Sequence, residues 1–318
     1  MKTKWKEASV IGVASFLVPA VGCTVVALWW IGWSLKAAAI AGIALSTTSV
    51  AVVYSVILET GLNDTDYGKT ALAACFITDI GTVLALGVVF SPFNLKTLIF
   101  VLATWWMYKV LPKVTPKYMT SVWDKPSEVA AKFILMILLA MGAMALWAEN
   151  EPVLPAYVMG MALAGTMGQN KVLTRKLRTV TRGILTPFFF IHAGALVSLP
   201  ALFAAPAGFV VLFSAKIAFK FLGVYPSTRR YKTPRQEAMY TTLLMSTGLT
   251  FGAIAAMFGL THDIIDRSQY SVLVASVIAT AVIPAIIADA FFLPRHLLAD
   301  SAQTARARED TAKTISVG

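Results

Sequence analysis

Apolar residues run in long blocks through most of this chain, broken by short polar segments, and neither the alternation of a half-buried strand nor the narrow stripe of a surface helix prevails. A helix that crosses a bilayer needs about 20 mostly apolar residues, because each adds about 1.5 Å of rise across a hydrocarbon core about 30 Å thick. Ten blocks approach that length: 8–30, 35–58, 70–90, 95–111, 129–147, 153–167, 183–202, 208–225, 238–260 and 270–292. The expected fold class is therefore an all-α integral membrane protein with about ten transmembrane helices over residues 1–294. The polar stretch from 295 to 318 reads as a disordered cytoplasmic tail.

Composition agrees. Of 318 residues, 58% are hydrophobic and only 14% charged. The formal net charge of +11 is a topology signal rather than a nucleic-acid footprint. With the N-terminus inside, nearly every Lys and Arg falls on the cytoplasmic side, in MKTKWKE, TGLNDTDYGK, YKVLPKVTPKYMTSVWDK, MGQNKVLTRKLRTVTR, PSTRRYKTPR and the tail; Glu149, Glu151, Asp263 and Asp266 lie outside. This predicts a multi-pass protein of a plasma membrane, such as a bacterial inner membrane, with both termini cytoplasmic.

The two cysteines, Cys23 and Cys75, lie inside apolar blocks, which argues for packing rather than a disulfide or a metal site. Residues 8–30 are too long for a signal peptide, contain Pro19, and end at the interfacial tryptophans Trp29, Trp30 and Trp33. No helix pairs His, Cys or carboxylates at catalytic or ligand spacing, so no enzyme, cofactor or resident metal is expected.

Against this background one carboxylate stands out. Asp79, in CFITDIGTVLA, sits in the middle of the apolar block 70–90. Placing an aspartate at the centre of a spanning helix costs about 2.5–3.5 kcal/mol on insertion scales, so such residues face a cavity or a partner and mark an ion or proton path. The plainer alternative is a protonated aspartic acid that only holds helices together. Thr78 adds a hydroxyl beside it.

Two other blocks are interrupted at mid-depth. Residues 44–59 read ALSTTSVAVVYSVILE, with Ser46, Thr47, Thr48 and Ser49 consecutive; residues 243–257 read LLMSTGLTFGAIAAM, with Ser246, Thr247, Gly248, Thr250 and Gly252. Such side chains compete for backbone hydrogen bonds and can end a helix. In a bilayer, backbone that leaves helical geometry must be buried or line a cavity. These are the second and ninth expected crossings and run in opposite directions, the pattern of inverted-repeat transporters whose sites form where half-helix ends meet. Lys216 and Lys220 lie one turn apart in block 208–225, suited to balance the dipole ends of broken helices. Lys220, nearer the cytoplasm, has snorkelling as an alternative.

KWKEASVIGVASFLVPA, ALSTTSVAVVYSVILETGL, ACFITDIG, TPFFFIHAGALVSLPAL and STGLTFGAIAAMFGLTH together resemble the monovalent cation:proton antiporter-2 family, within the sodium/proton antiporter superfamily, over residues 4–294. The resemblance implies an inverted-repeat antiporter fold with two crossing discontinuous helices and a dimerisation domain, which leaves a homodimer open. It implies exchange of Na⁺ or K⁺ for protons, with monovalent cations, protons and the lipid bilayer as partners. It puts the ion-binding aspartate at Asp79 beside Thr78, the first break at Thr47, Thr48 and Ser49, the second at Ser246, Thr247 and Gly248, and the intramembrane lysine at Lys216 or Lys220. Electrogenic members carry two adjacent aspartates; Thr78 at the first position favours one-for-one exchange. The chain opens where the family's fourth helix begins, so the expected fold is N-terminally shortened, lacking the usual first three helices.

The mechanism expected from these residues is competition. Na⁺ and K⁺ prefer carboxylate, hydroxyl and carbonyl oxygens. A proton and a cation contend for the oxygens of Asp79, and the core exposes them to one side at a time. Pro187, Pro284 and the glycines of 238–260 are bending points. His192 reads as packing, Glu59 and Glu237 as interfacial, and Gly160 with Ala164 as a close-packing pair. A passive or gated K⁺ efflux pathway and a truncated, non-transporting remnant are the alternatives.

Overall fold

The computed structural model describes residues 4–297 except 63–64, 91–93, 123–128, 149, 151, 170, 199 and 201–205, with backbone only at 116–122, 166–169, 171 and 182. The tail beyond 297, Glu149, Glu151 and part of the last turns of block 183–202 fall outside these residues. The described residues form helices connected by short turns, divided into two compact units: residues 1–82 with 196–318, and residues 83–195.

In the first unit, α1 (Trp5–Trp29) buries Ala8, Ile11, Ser15, Pro19 and Cys23, three or four residues apart, on one face, while Val13, Leu17, Val21 and Val25 point outward. The next expected span is two helices. The first, α2 (Leu35–Ser46), starts where Ser34 Oγ accepts from Ala37 N at 3.3 Å, and ends because Thr47 turns extended at φ −62°, ψ 153°. The second, α3 (Val50–Glu59), is restarted by Ser49, whose Oγ accepts from Val52 N at 3.3 Å. After α4 (Asp66–Phe90), which runs on past residue 82, the unit resumes with α10 (Pro206–Arg230). It then repeats the break: α11 (Arg235–Ser246) ends as Thr247 turns extended at φ −65°, ψ 141°, and α12 (Thr250–Thr261) follows. Last comes α13 (Arg267–Ile287), opened by a capping box between Asp266 and Gln269 and closed by a π-helical turn, Ala288–Phe292, beyond Pro284.

The repeat is visible in the numbering. Helices α1 and α10 begin 201 residues apart, as do α4 and α13, and the two breaks begin 200 apart, at Thr47 and Thr247. Contacts obey the same step. A Cβ on Gly22 would lie 2.5 Å from the Phe219 ring, and one on Gly223 would lie 3.1 Å from Val18 and 2.7 Å from Ala14 O. These are one contact seen from either repeat, as a two-fold relation between α1 and α10 requires. Both positions need glycine because the helices approach too closely for a side chain. The half-helices α2 and α11 are the innermost elements; α2 buries every residue from Ile40 to Ser46. A cluster of Ile11, Val53, Ile57, Cys75, Val224, Tyr240, Leu244 and Met245 packs around them.

The second unit contains the end of α4, α5 (Leu95–Val122), α6 (Val129–Trp147), α7 (Val153–Gln169), α8 (Lys171–Val180), a π-helical turn (Thr181–Leu185) and α9 (Thr186–Ala195). Its core joins Leu111, Ile134, Ile137, Met141, Met159, Leu163 and Leu173. The π turn lies immediately before Pro187, whose missing N–H prevents an ordinary i to i−4 bond there.

Among the described residues, seven helical spans are long and apolar enough to cross a membrane: Trp5–Trp30, Leu35–Glu59, Asp66–Phe90, Val129–Trp147, Pro206–Arg230, Arg235–Thr261 and Arg267–Phe292. Blocks 95–111 and 153–167, and the described part of block 183–202, lie outside that set. The sequence of α5 carries Lys96, Lys109, Lys113 and Lys117, α7 is apolar only over Val153–Gly165, and α9 is 10 residues long.

Candidate functional site

Two breaks in one unit leave helix ends with unpaired backbone groups at depth, and the chain meets this with its own hydroxyls. Ser46 Oγ donates to Ile43 O at 2.8 Å and Thr47 Oγ1 to Ala44 O at 2.9 Å; in the second break Ser246 Oγ donates to Thr242 O and Thr247 Oγ1 to Leu244 O, each at 2.7 Å. The breaks also bind each other. Ser49 N donates to Thr247 O at 3.0 Å, and Thr48 Oγ1 donates to Met245 O at 2.9 Å. All six predicted residues from Thr47 to Ser49 and from Ser246 to Gly248 therefore lie at one crossing, and the five with side chains are at most 2% exposed.

Both predicted lysines reach this crossing. Lys220 Nζ donates to Thr48 Oγ1 and to Ser15 Oγ of α1, each at 2.8 Å. Lys216 Nζ donates to Thr280 Oγ1 of α13 at 3.0 Å and stands against Gly248, where a Cβ would overlap it. Neither snorkels: both are 0% exposed. Their partners are hydroxyls, and among the described residues no ion pair joins either lysine to Asp79.

Asp79 lies on α4, 4% exposed, and its Oδ1 is buried with no hydrogen-bond partner among the described residues. A buried carboxylate oxygen without a donor is expensive, on the order of 1–3 kcal/mol or more, and is relieved by a proton or a cation. Thr78, fully buried beside it, donates its hydroxyl to Ala74 O at 3.1 Å and Gly12 O at 3.3 Å. Its oxygen keeps lone pairs; its proton is committed.

Nine residues before Asp79, about 13 Å along the helix at 1.5 Å per residue, Thr70 lines a cavity of about 290 Å³ with Lys4, Glu7, Tyr67, Glu237 and Thr241. Tyr67 Oη and Thr241 Oγ1 share a hydrogen bond of 2.7 Å there, and His296 Nε2 meets Glu237 Oε1 at 2.8 Å. Glu237, expected at the membrane interface, is only 9% exposed.

Ser15, Thr280 and the His296–Glu237 pair were not anticipated. A single hydroxyl in an apolar helix is ordinary, so only the 201-residue step could have singled out Thr280, which it pairs with Asp79. Other expectations differ from the structure. His192, read as packing, is exposed, and a Cβ on Gly160 would meet open space rather than a neighbouring helix. Cys23 and Cys75 are buried and free, with Cys75 Sγ 3.4 Å from Met245 Sδ.

A family model described as sodium/hydrogen exchanger, transmembrane, matches residues 1–292. Among individual proteins, the chain is 21% identical over 309 residues to the probable Na(+)/H(+) antiporter 3 of Methanocaldococcus jannaschii, covering 93% of this chain and 78% of that protein. It is 25% identical over 274 residues to the Na(+)/H(+) antiporter NhaS4 of Synechocystis, covering 80% of this chain and 65% of that one. It spans only a third of the Arabidopsis thaliana cation/H(+) antiporter 19, at 23% identity over 80% of this chain. The solved structure of the sodium proton antiporter MjNhaP1 from M. jannaschii at pH 8 superposes with a TM-score of 0.68 at 16% identity, over 93% of this chain and 80% of that one, which shows a common fold. The apolar spans and the family make this a multi-pass membrane protein and a transporter rather than an enzyme. The chain belongs to the sodium/hydrogen exchanger family of monovalent cation:proton antiporters.

Proposed function

We propose that this chain exchanges a monovalent cation, Na⁺ or K⁺, for protons across a membrane, with Asp79 as the carboxylate for which the two compete. The observation that carries this reading is Asp79 Oδ1: a buried carboxylate oxygen with no donor, on the helix that follows the first break. In this reading the Thr78 oxygen and the hydroxyl and carbonyl oxygens of Thr47, Thr48 and Ser49 complete the cation's surroundings in the working protein. Lys220 is the intramembrane charge partner, holding the first break through Thr48. The second break, Ser246 to Gly248, braces the first through the Ser49–Thr247 and Thr48–Met245 bonds. The cavity beside Thr70 supplies a water-filled approach from the end where α1 and α4 begin, which positive-inside charge assigns to the cytoplasm. One carboxylate implies one-for-one exchange in a bacterial-type plasma membrane.

The test is proton efflux from proteoliposomes on addition of Na⁺, K⁺ or Li⁺. Wild type is expected to show cation-dependent proton movement that Asp79→Asn lowers to the level of empty vesicles. Movement that persists in Asp79→Asn overturns the assignment. Cation flux without coupled proton movement points instead to a passive pathway.

A further inference from the structure

The two buried amines occupy related places. Under the 201-residue step, Asp79 corresponds to Thr280 and Ser15 to Lys216; under the 200-residue step of the breaks, Thr48 corresponds to Gly248. Lys220 Nζ is bonded to Ser15 and Thr48, the first-repeat members of two of these pairs. Lys216 Nζ is bonded to Thr280 and abuts Gly248, the second-repeat members. One amine thus serves each break, and both amines are carried by α10, the second-repeat counterpart of α1.

The chemistry of the two places differs at one atom set. The first has a carboxylate, which can trade a proton for a metal cation. The second has a threonine, whose hydroxyl accepts a hydrogen bond from an amine yet brings no negative charge to retain Na⁺ or K⁺ against water. It also has Gly248 where the first has Thr48, and the space left by the missing side chain is taken by Lys216 Nζ. Lys216 is 0% exposed, and its amine bonds Thr280 and abuts Gly248.

Resting on the exchange reading of Asp79 above, we propose that the second repeat contains a mirror copy of the cation site, and that the chain fills it with its own Lys216 amine. Only one of the two quasi-equivalent sites is then open to exchange. Lys216 serves as a tethered occupant that keeps the second break closed while the first binds and releases ions. Gly248 is glycine because the amine needs that volume.

Lys216→Ser with Thr280→Asp copies the Ser15 and Asp79 pair into the second repeat and removes the occupant. Bound Na⁺ and K⁺, each followed as a radiotracer on purified protein at saturating concentration, are expected at one per chain in wild type and none in Asp79→Asn. Adding Lys216→Ser and Thr280→Asp to Asp79→Asn should restore one per chain. The proposal is overturned if that triple variant, monodisperse and as helical as wild type, binds none, or if wild type binds two. Binding by wild type that survives Asp79→Asn unchanged overturns the Asp79 reading instead, while any gain of the triple variant over Asp79→Asn still reports the mirror site. A thermal-stability cycle gives a second readout. A Cβ on Gly248 also lies 3.1 Å from Thr47 Oγ1 and 3.3 Å from Thr47 O, so Gly248→Ala should lower the melting temperature of wild type by more than that of Lys216→Ser; an equal loss in both backgrounds means that the amine does not fill that space.

Discussion

A buried polar atom demands a partner, and the residues at the crossing can be ranked by how far they meet that demand. Thr48 meets two at once, donating to Met245 O while accepting from Lys220 Nζ. Thr48→Val keeps the shape, removes both bonds and leaves a carbonyl and an amine short of a partner. The expected cost is about 2–4 kcal/mol, from two unsatisfied buried groups at about 1–3 kcal/mol each, partly relaxed. It is measured as a loss of thermal stability in detergent, and Ser15→Ala, which leaves Lys220 bonded to Thr48, should cost less. Asp79 was legible in the sequence because a lone carboxylate amid apolar residues has no cheap structural use. Ser15 and Thr280 were not, since hydroxyls in apolar helices bond their own backbone in most cases, and only the fold shows which of them also receives an amine.

Among the elements, the breaks and the glycine contacts decide the packing. The sequence showed where α2 and α11 stop, because four hydroxyls in a row and a Ser-Thr-Gly run both favour local side-chain bonds over the helical ladder. It did not show that the two breaks bond to each other, which depends on helices about 200 residues apart meeting at one depth. Gly223→Ala places a methyl 2.7 Å from the Ala14 carbonyl, which as backbone cannot step aside. Overpacking of this kind costs about 1–3 kcal/mol, so Gly223→Ala should lower the melting temperature, whereas Gly160→Ala, facing open space, should leave it unchanged or slightly raised. At the start of α13, Asp266 Oδ1 accepts from Gln269 N at 2.8 Å while Gln269 Oε1 accepts from Asp266 N at 3.0 Å. Asp266→Ala removes that cap and should cost about 1 kcal/mol, detectable as earlier unfolding without loss of cation selectivity.

For the whole molecule, competition between a proton and a cation at one carboxylate has a kinetic signature. In the pH range where the site is mainly protonated, each unit of acidification should raise the half-saturating cation concentration about tenfold while the maximal rate stays constant, since one proton is displaced per cation bound. Transport measured over a pH series in proteoliposomes checks this, and a half-saturating concentration that ignores pH would exclude a shared site. One-for-one exchange also predicts a rate unaffected by an imposed membrane potential. The sequence by itself determined the membrane class, the lone carboxylate, the positions of both breaks and the pair of deep lysines, because each rests on local composition and on the cost of polar groups in hydrocarbon. Only the tertiary structure decided that Lys220 serves the first break and Lys216 the second, and that Thr280 stands to the second repeat as Asp79 stands to the first. Those assignments depend on which side chains meet across helices far apart in the chain, and hydrophobic pattern carries no record of such meetings.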